Sequence, residues 1–332
     1  MKRSILIVHP GALGDVLLAV PAIRSLSAKF PQHETVLIAA ATASRLLSEC
    51  GLIDDWIPLE GQACLGLFSE TLSVPEELQS WLARCDVAVV WKEDKEGALR
   101  SLFQDFGVAQ VQIRSPFSPE LRARHQSNRF LETLGETAED ISLERTVQVS
   151  PSLWERGRDY LQAMRISPNQ SLVLVHPGSG SIHKCLAPRR MALLIEQLWR
   201  GEMCPLVLEG PADQEAVDHA LQFVSKPPVV LRDLDLSQLA GVLALVTVYI
   251  GHDSGVTHLS ALLGVPTLAL FGPTDPQRWA PHGNHVTILR GAPCICESWE
   301  RVKKCVEKPC LQVSIEEILT AIERRREQHK PS

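Results

Sequence analysis

Ser4-Ile5-Leu6-Ile7-Val8-His9-Pro10-Gly11 returns later in the chain as Ser171-Leu172-Val173-Leu174-Val175-His176-Pro177-Gly178. Five of the eight positions are identical, and the other three exchange only among Ile, Leu and Val. A short, unbroken apolar run of this kind fits a strand covered on both faces of a parallel sheet. Pro-Gly then ends the strand and opens a loop of small residues, as where a βαβ unit turns from its first strand into its first helix. One repeated octet is also within reach of chance or of a shared turn preference. What lies outward of each copy decides between these readings.

Strand and helix patterns alternate after both copies. The first half has helical apolar spacing over 16–30 and strand-like runs at 35–40 and 87–91. In the second half, helices expected at 191–199, 215–223, 236–245 and 256–263 alternate with strands at 205–208, 229–231, 246–250 and 266–271. Such alternation predicts an α/β fold of two Rossmann-like domains with parallel sheets. The expected division is 1–160, 161–313 and a terminal helix over 314–332. Ser314 and Glu317 form a capping-box pattern, and Ile315, Ile318, Leu319 and Ile322 form one apolar stripe. This helix is expected to pack back toward the N-terminal domain. Its Arg324-Arg325-Arg326 run reads as a solvated helix end in preference to a lipid contact.

Composition agrees with two domains. The chain has 332 residues, 33 Lys+Arg against 39 Asp+Glu, and a net charge of −6. That acidity argues against a general nucleic-acid binder. No apolar run reaches the ~18 residues of a membrane span, and His9-Pro10-Gly11 halts the first apolar run too early for a secretory signal. Nine cysteines, five of them scattered (Cys50, Cys64, Cys85, Cys185, Cys204), look like reduced thiols of a cytoplasmic protein.

In parallel sheets, ligands bind beyond the carboxyl ends of the strands. Four loops qualify. Gly11-Ala12-Leu13-Gly14-Asp15 lacks the dinucleotide pattern, and Asp15 is either a carboxylate complementing a helix start or a general base. The loop 178–184, with Ser179, Gly180, Ser181 and Lys184, suits a phosphate, although a solvated lysine is the blander reading. In the loop 251–258, Asp253 or Ser254 is placed to cap a helix starting at Gly255, whose N–H groups would face an anion. His258 lies one turn further on and reads as a supporting residue. The fourth loop, 271–276, places Thr274 and Asp275 beside the third.

Together these segments resemble glycosyltransferase family 9, the lipopolysaccharide heptosyltransferase-like enzymes. The resemblance rests on Gly14-Asp15 with Val16–Pro21, on 176–181 with Lys184, on 210–215, on 252–261 and on 270–276. It implies the GT-B architecture, two Rossmann-like domains facing across a cleft, with the acceptor mainly on the first and a nucleotide-sugar on the second. The implied reaction is inverting transfer of a sugar, typically heptose from an ADP donor, to a hydroxyl of a lipid-linked saccharide. Asp15 matches the family's general base, Lys184 its diphosphate-contacting lysine, and Asp253-Ser254-Gly255 its donor loop. Asp213 falls where an acidic residue contacts the nucleoside. No cofactor is expected, no D-x-D metal motif is present, and peripheral contact with the inner membrane face is compatible with a lipid-linked acceptor.

The chain also departs from the family pattern. Leu186 and Ala187 replace an aromatic residue and Pro, and His252 replaces a common Asn. Lys92, Lys95 and Arg100 are the cations of the segment 91–107, where acceptor contacts are expected. Cys294, Cys296, Cys305 and Cys310 lack the usual paired zinc spacing, so free thiols or a local disulfide are favoured over a structural metal. Two other classes stay open: an epimerase or hydrolase on the same scaffold, and a non-catalytic nucleotide-sugar-binding protein.

Overall fold

The computed structural model describes residues 2–61, 64, 67, 74–116, 124–137, 146–167 and 170–328. The chain divides into two compact units, Met1–Glu144 and Arg145–Ser332. The first contains β1 (Ser4–Val8), α1 (Leu13–Leu18), α2 (Val20–Lys29), β2 (Glu34–Ala39), α3 (Ala41–Glu49), β3 (Asp55–Pro58) and α4 (Glu76–Leu82). It continues with β4 (Cys85–Val90), α5 (Ala98–Asp105), β5 (Gln110–Ile113) and α6 (Gln126–Thr133). The second unit opens with α7 (Pro151–Ala163), β6 (Leu172–His176), α8 (Pro188–Arg200), β7 (Cys204–Leu208), α9 (Gln214–Leu221) and β8 (Val229–Leu231). Then follow α10 (Leu236–Leu243), β9 (Val248–His252), α11 (Gly255–Leu262), β10 (Thr267–Leu270), α12 (Pro276–Trp279), β11 (Val286–Leu289), α13 (Trp299–Lys304) and α14 (Ile315–Gln328).

Among the described residues every strand pairing is parallel. The sheet orders are β3-β2-β1-β4-β5 and β11-β10-β9-β6-β7-β8. The repeated octet therefore supplies β1 and β6, the strands from which each sheet winds outward in both directions. All five residues of each are buried, which is why the octet carries no polar alternation. At a strand of this kind the loops on its two sides diverge and leave a crevice for ligand. In the second unit that crevice lies between the loops following β6 and β9.

Four expectations are corrected. The division falls at 144/145 and not at 160/161, because α7 packs on α10 of the second unit. Gly157 and Gly241 make this crossing possible: a Cβ on Gly157 would lie 2.1 Å from the Gly241 carbonyl carbon. The terminal helix α14, expected on the N-terminal domain, packs within the second unit. Its Ile318, Ala321 and Ile322 share a core with Val173, Val248, Ile250 and Leu268 of the second sheet. Arg325 is no mere solvated end, since it donates to Thr287 Oγ1 and to the carbonyls of Asn284 and Val286. The helix expected over 16–30 is in fact two, α1 and α2, meeting at Ala19, with Pro21 in the first turn of α2.

Candidate functional site

In the second unit the loop after β6 begins under tight constraint. A Cβ on Gly178 would lie 1.8 Å from Asp213 Oδ1, so no larger residue passes the carboxylate there. Gly180, by contrast, has open space around it. Ser179 Oγ donates to the Asp253 carbonyl at 2.7 Å. Ser181 Oγ accepts the His183 N–H at 3.3 Å and starts a short 3-10 helix, Ile182–Lys184. Lys184 Nζ then reaches Asp253 Oδ2 at 2.8 Å. This is one of the ammonium's three donors.

The loop after β9 meets it. Ser254 caps α11 by accepting the Thr257 N–H at 3.4 Å. Gly255 is the first residue of that helix, whose opening N–H groups carry partial positive charge. His258 Nε2 lies 3.9 Å from Asp253 Oδ1. The structure thus brings Ser179, Lys184, Asp253, Ser254 and His258 together.

Two histidines hold these loops, and the sequence reading gave a role to neither. His252 is fully buried. Its Nε2 accepts the Leu186 N–H at 2.9 Å, and its Nδ1 lies 3.3 Å from the Gly178 carbonyl. An acceptor at Nε2 and a carbonyl at Nδ1 define the neutral Nδ1–H ring. Burial agrees, pushing the pKa down to about 4. The loop carrying Lys184 is thereby tied to β9 at both ends. Leu186, in place of the family's aromatic residue, is buried in the core, and Pro188 opens α8 one position after Ala187.

His176 is the second. Its Nε2 lies 2.8 Å from Asp213 Oδ2, which also accepts the Gly210 N–H at 3.1 Å. On the other side, Nδ1 lies 3.3 Å from Tyr249 Oη and 3.5 Å from Ser254 Oγ. Both hydroxyls lie 3.1 Å from Thr257 Oγ1. Asp213 is buried on this histidine, a contact that the expected nucleoside role did not foresee. Burial alone would raise its pKa; the His176 hydrogen bond and the neighbouring N–H outweigh burial and hold it below the usual range. Burial pushes the Tyr249 phenol up, so it keeps its proton. Thr274 Oγ1, in the loop after β10, is buried without a hydrogen-bond partner among the described residues. Beside it, Asp275 caps α12 through the Gln277 N–H at 3.0 Å.

In the first unit, β1 runs into His9, which is 1% exposed. Its Nδ1 accepts the Gly11 N–H at 3.1 Å, and its ring packs against Trp91 and Phe130. A Cβ on Gly11 would lie 2.7 Å from His9 Cε1 and 2.8 Å from Asp15 Cβ. Glycine at 11 therefore lets the histidine and Asp15 close on one turn of chain. Asp15 follows Gly14 in the first turn of α1, half-buried, where the helix start favours a carboxylate. In the loop after β4, Lys95 pairs with Glu93 at 3.6 Å, and Arg100 of α5 donates to the Val111 carbonyl. Desolvation lowers the Lys92 pKa.

The four C-terminal cysteines are free thiols. Cys296 sits against Cys294 and Cys305, and Cys310 against Cys294; desolvation and these neighbours raise the pKa of Cys296 and of Cys310 to about 11. Among the described residues no group of three or more His, Cys, Asp or Glu side chains is arranged to hold a metal ion. No described helix is long and apolar enough to cross a membrane.

Comparison with known proteins follows the same lines. Residues 113–311 match the family described as glycosyltransferase family 9 (heptosyltransferase). A stretch of the chain is 26% identical over 145 residues to a lipopolysaccharide heptosyltransferase 3 of Escherichia coli, covering 42% of each protein. Lipopolysaccharide heptosyltransferase 1 of Pseudomonas aeruginosa is 23% identical, with 98% of this chain and 92% of that protein covered. The solved structure of the E. coli ADP-heptose lipopolysaccharide heptosyltransferase II superposes with a TM-score of 0.77 at 20% identity, over 99% of this chain and 100% of that one. The shared fold is the expected α/β GT-B class. The chain belongs to glycosyltransferase family 9, the heptosyltransferase family.

Proposed function

We propose that this glycosyltransferase moves a heptose from an ADP-heptose-type donor to a hydroxyl of a lipopolysaccharide-core acceptor, with inversion and without a metal ion. The observation that carries the reading is the convergence of Lys184, Asp253 and Ser254 on the start of α11, beside the strand from which the second sheet winds. Such a helix start binds anions through its N–H groups, and Lys184 adds a point charge. The name of the superposed heptosyltransferase II supports ADP-heptose as donor.

In this reading the Asp15 carboxylate takes the acceptor hydroxyl's proton as that oxygen attacks C1 of the sugar. The bond from C1 to the diphosphate breaks on the opposite face, and its electron pair leaves with the nucleoside diphosphate. One displacement with one base inverts the anomeric centre. Base catalysis is worth ~10²–10⁴-fold, and donors already aimed at the departing oxygens cost no reorganisation. The test is a donor screen, with and without a core saccharide acceptor and with and without EDTA. The expected result is ADP release that needs both ADP-heptose and acceptor and is indifferent to EDTA. Donor consumption without acceptor would replace the reading with a hydrolase or epimerase, and donor binding without any turnover with a binding protein.

A further inference from the structure

We propose that His9 is a positioning residue for Asp15: through Gly11 it holds the turn that presents this carboxylate to the acceptor hydroxyl. The inference rests on the base reading of Asp15 above. It starts from a buried side chain of the first unit that the reaction itself does not use.

His9 lies in an aromatic box. Its ring centroid is 5.3 Å from that of Trp91 and 5.2 Å from that of Phe130, and those two rings are 4.9 Å apart. Burial pushes its pKa down to about 4, so the ring is neutral at pH 7. Nδ1 accepts the Gly11 N–H at 3.1 Å, which leaves the ring proton on Nε2. That N–H is buried and meets no hydrogen-bond partner among the described residues. A buried donor left in this way lowers stability. A phenyl ring would fill the same box without that loss, so packing does not account for a histidine here. What imidazole adds is the acceptor at Nδ1.

The effect of that acceptor runs to Asp15. The N-cap of α1 is Ala12, and no side chain caps the helix start there. The Gly11 N–H bond instead ties the turn before α1 to the end of β1. Gly11 is in turn wedged between its two neighbours: a Cβ there would lie 2.7 Å from His9 Cε1 and 2.8 Å from Asp15 Cβ. Releasing Gly11 therefore lets Asp15 shift. Proton transfer is sensitive to this, since misplacing a reacting group by ~1 Å costs on the order of 10²-fold.

Two variants separate the ring from its acceptor. His9→Phe keeps an aromatic ring and removes the acceptor, leaving the N–H of the partly exposed Gly11 to water. His9→Asn keeps an acceptor at the place of Nδ1 and empties the box. The readouts are kcat for acceptor-dependent ADP release from ADP-heptose, ADP affinity by calorimetry, and Tm. H9F is expected to melt no lower than wild type, to bind ADP as wild type does, and to lose ~10–10²-fold in kcat. H9N is expected to melt lower and to keep kcat near the wild-type value. On an Asp15→Asn background, H9F is expected to cause no further loss, because both changes disable the same group. Wild-type kcat in H9F, an H9N as slow as H9F, or an H9F loss repeated in full on top of D15N would each overturn the proposal. If H9N does not fold, H9F and the double variant decide alone. Wild-type turnover in D15N itself would overturn the base reading, and this role with it.

Discussion

His252 stands where the family pattern favours asparagine, and its hydrogen bonds explain the exchange. The ring accepts from the Leu186 N–H and donates to the Gly178 carbonyl. An asparagine amide offers the same acceptor and donor. The histidine version costs stability in acid. His9 and His252 have pKa values of about 4, below the ordinary value of 6.5. Between those values the unfolded chain binds protons that the folded one refuses. Stability is full above about pH 6.5, falls as pH drops toward 4, and loses roughly 3 kcal/mol per histidine. Urea midpoints measured from pH 7 to pH 4 should show this slope, and His252→Asn should remove about half of the histidine share. An unchanged slope would mean that the His252 ring titrates alike in the folded and unfolded chain. Lys184 belongs to the same scale. Lys184→Ala should lower kcat by ~10²–10³-fold in the ADP-release assay if it stabilises the leaving diphosphate; normal turnover would restrict it to pairing with Asp253. Lys184 and Asp253 were legible from their loops. The His176–Asp213–Tyr249 network was not, because no spacing rule joins residues 73 positions apart in sequence.

At the scale of elements, hydrophobic pattern located most strands and helices of the second unit. It failed where packing partners decide. The segment 151–163 carries helical spacing that suits either unit, and only the crossing with α10 settles which. That crossing depends on two residues without side chains. Gly241→Ala would place a Cβ 2.0 Å from the Leu153 carbonyl oxygen. Relief requires the helices to part, so a loss of about 1–3 kcal/mol or more is expected in a denaturant melt; a neutral result would mean that the two helices separate freely. The terminal helix gives the same lesson. Its apolar stripe announced a buried face, but a stripe does not say against what. Ile318 and Ile322 name the second sheet only once the fold is seen.

For the whole molecule, the repeated octet was the most informative feature. It predicted two parallel-sheet units, and its two copies are the strands from which the two sheets wind. The net charge of −6 obliges the protein to gather its cations and N–H groups locally if it handles an anionic diphosphate. Lys184 and the start of α11 do so. The two histidines of the octet then diverge: His9 lies in an aromatic setting beside the Asp15 turn, and His176 in a polar network beneath the loops after β6 and β9. Identical sequence at two sites has been put to different use by neighbours that the octet does not contain. The account as a whole is tested most directly by acceptor-dependent ADP release from ADP-heptose, compared between wild type and Asp15→Asn. It predicts turnover lowered by ~10²–10⁴-fold in the variant, with donor affinity retained. Wild-type turnover in Asp15→Asn would contradict it.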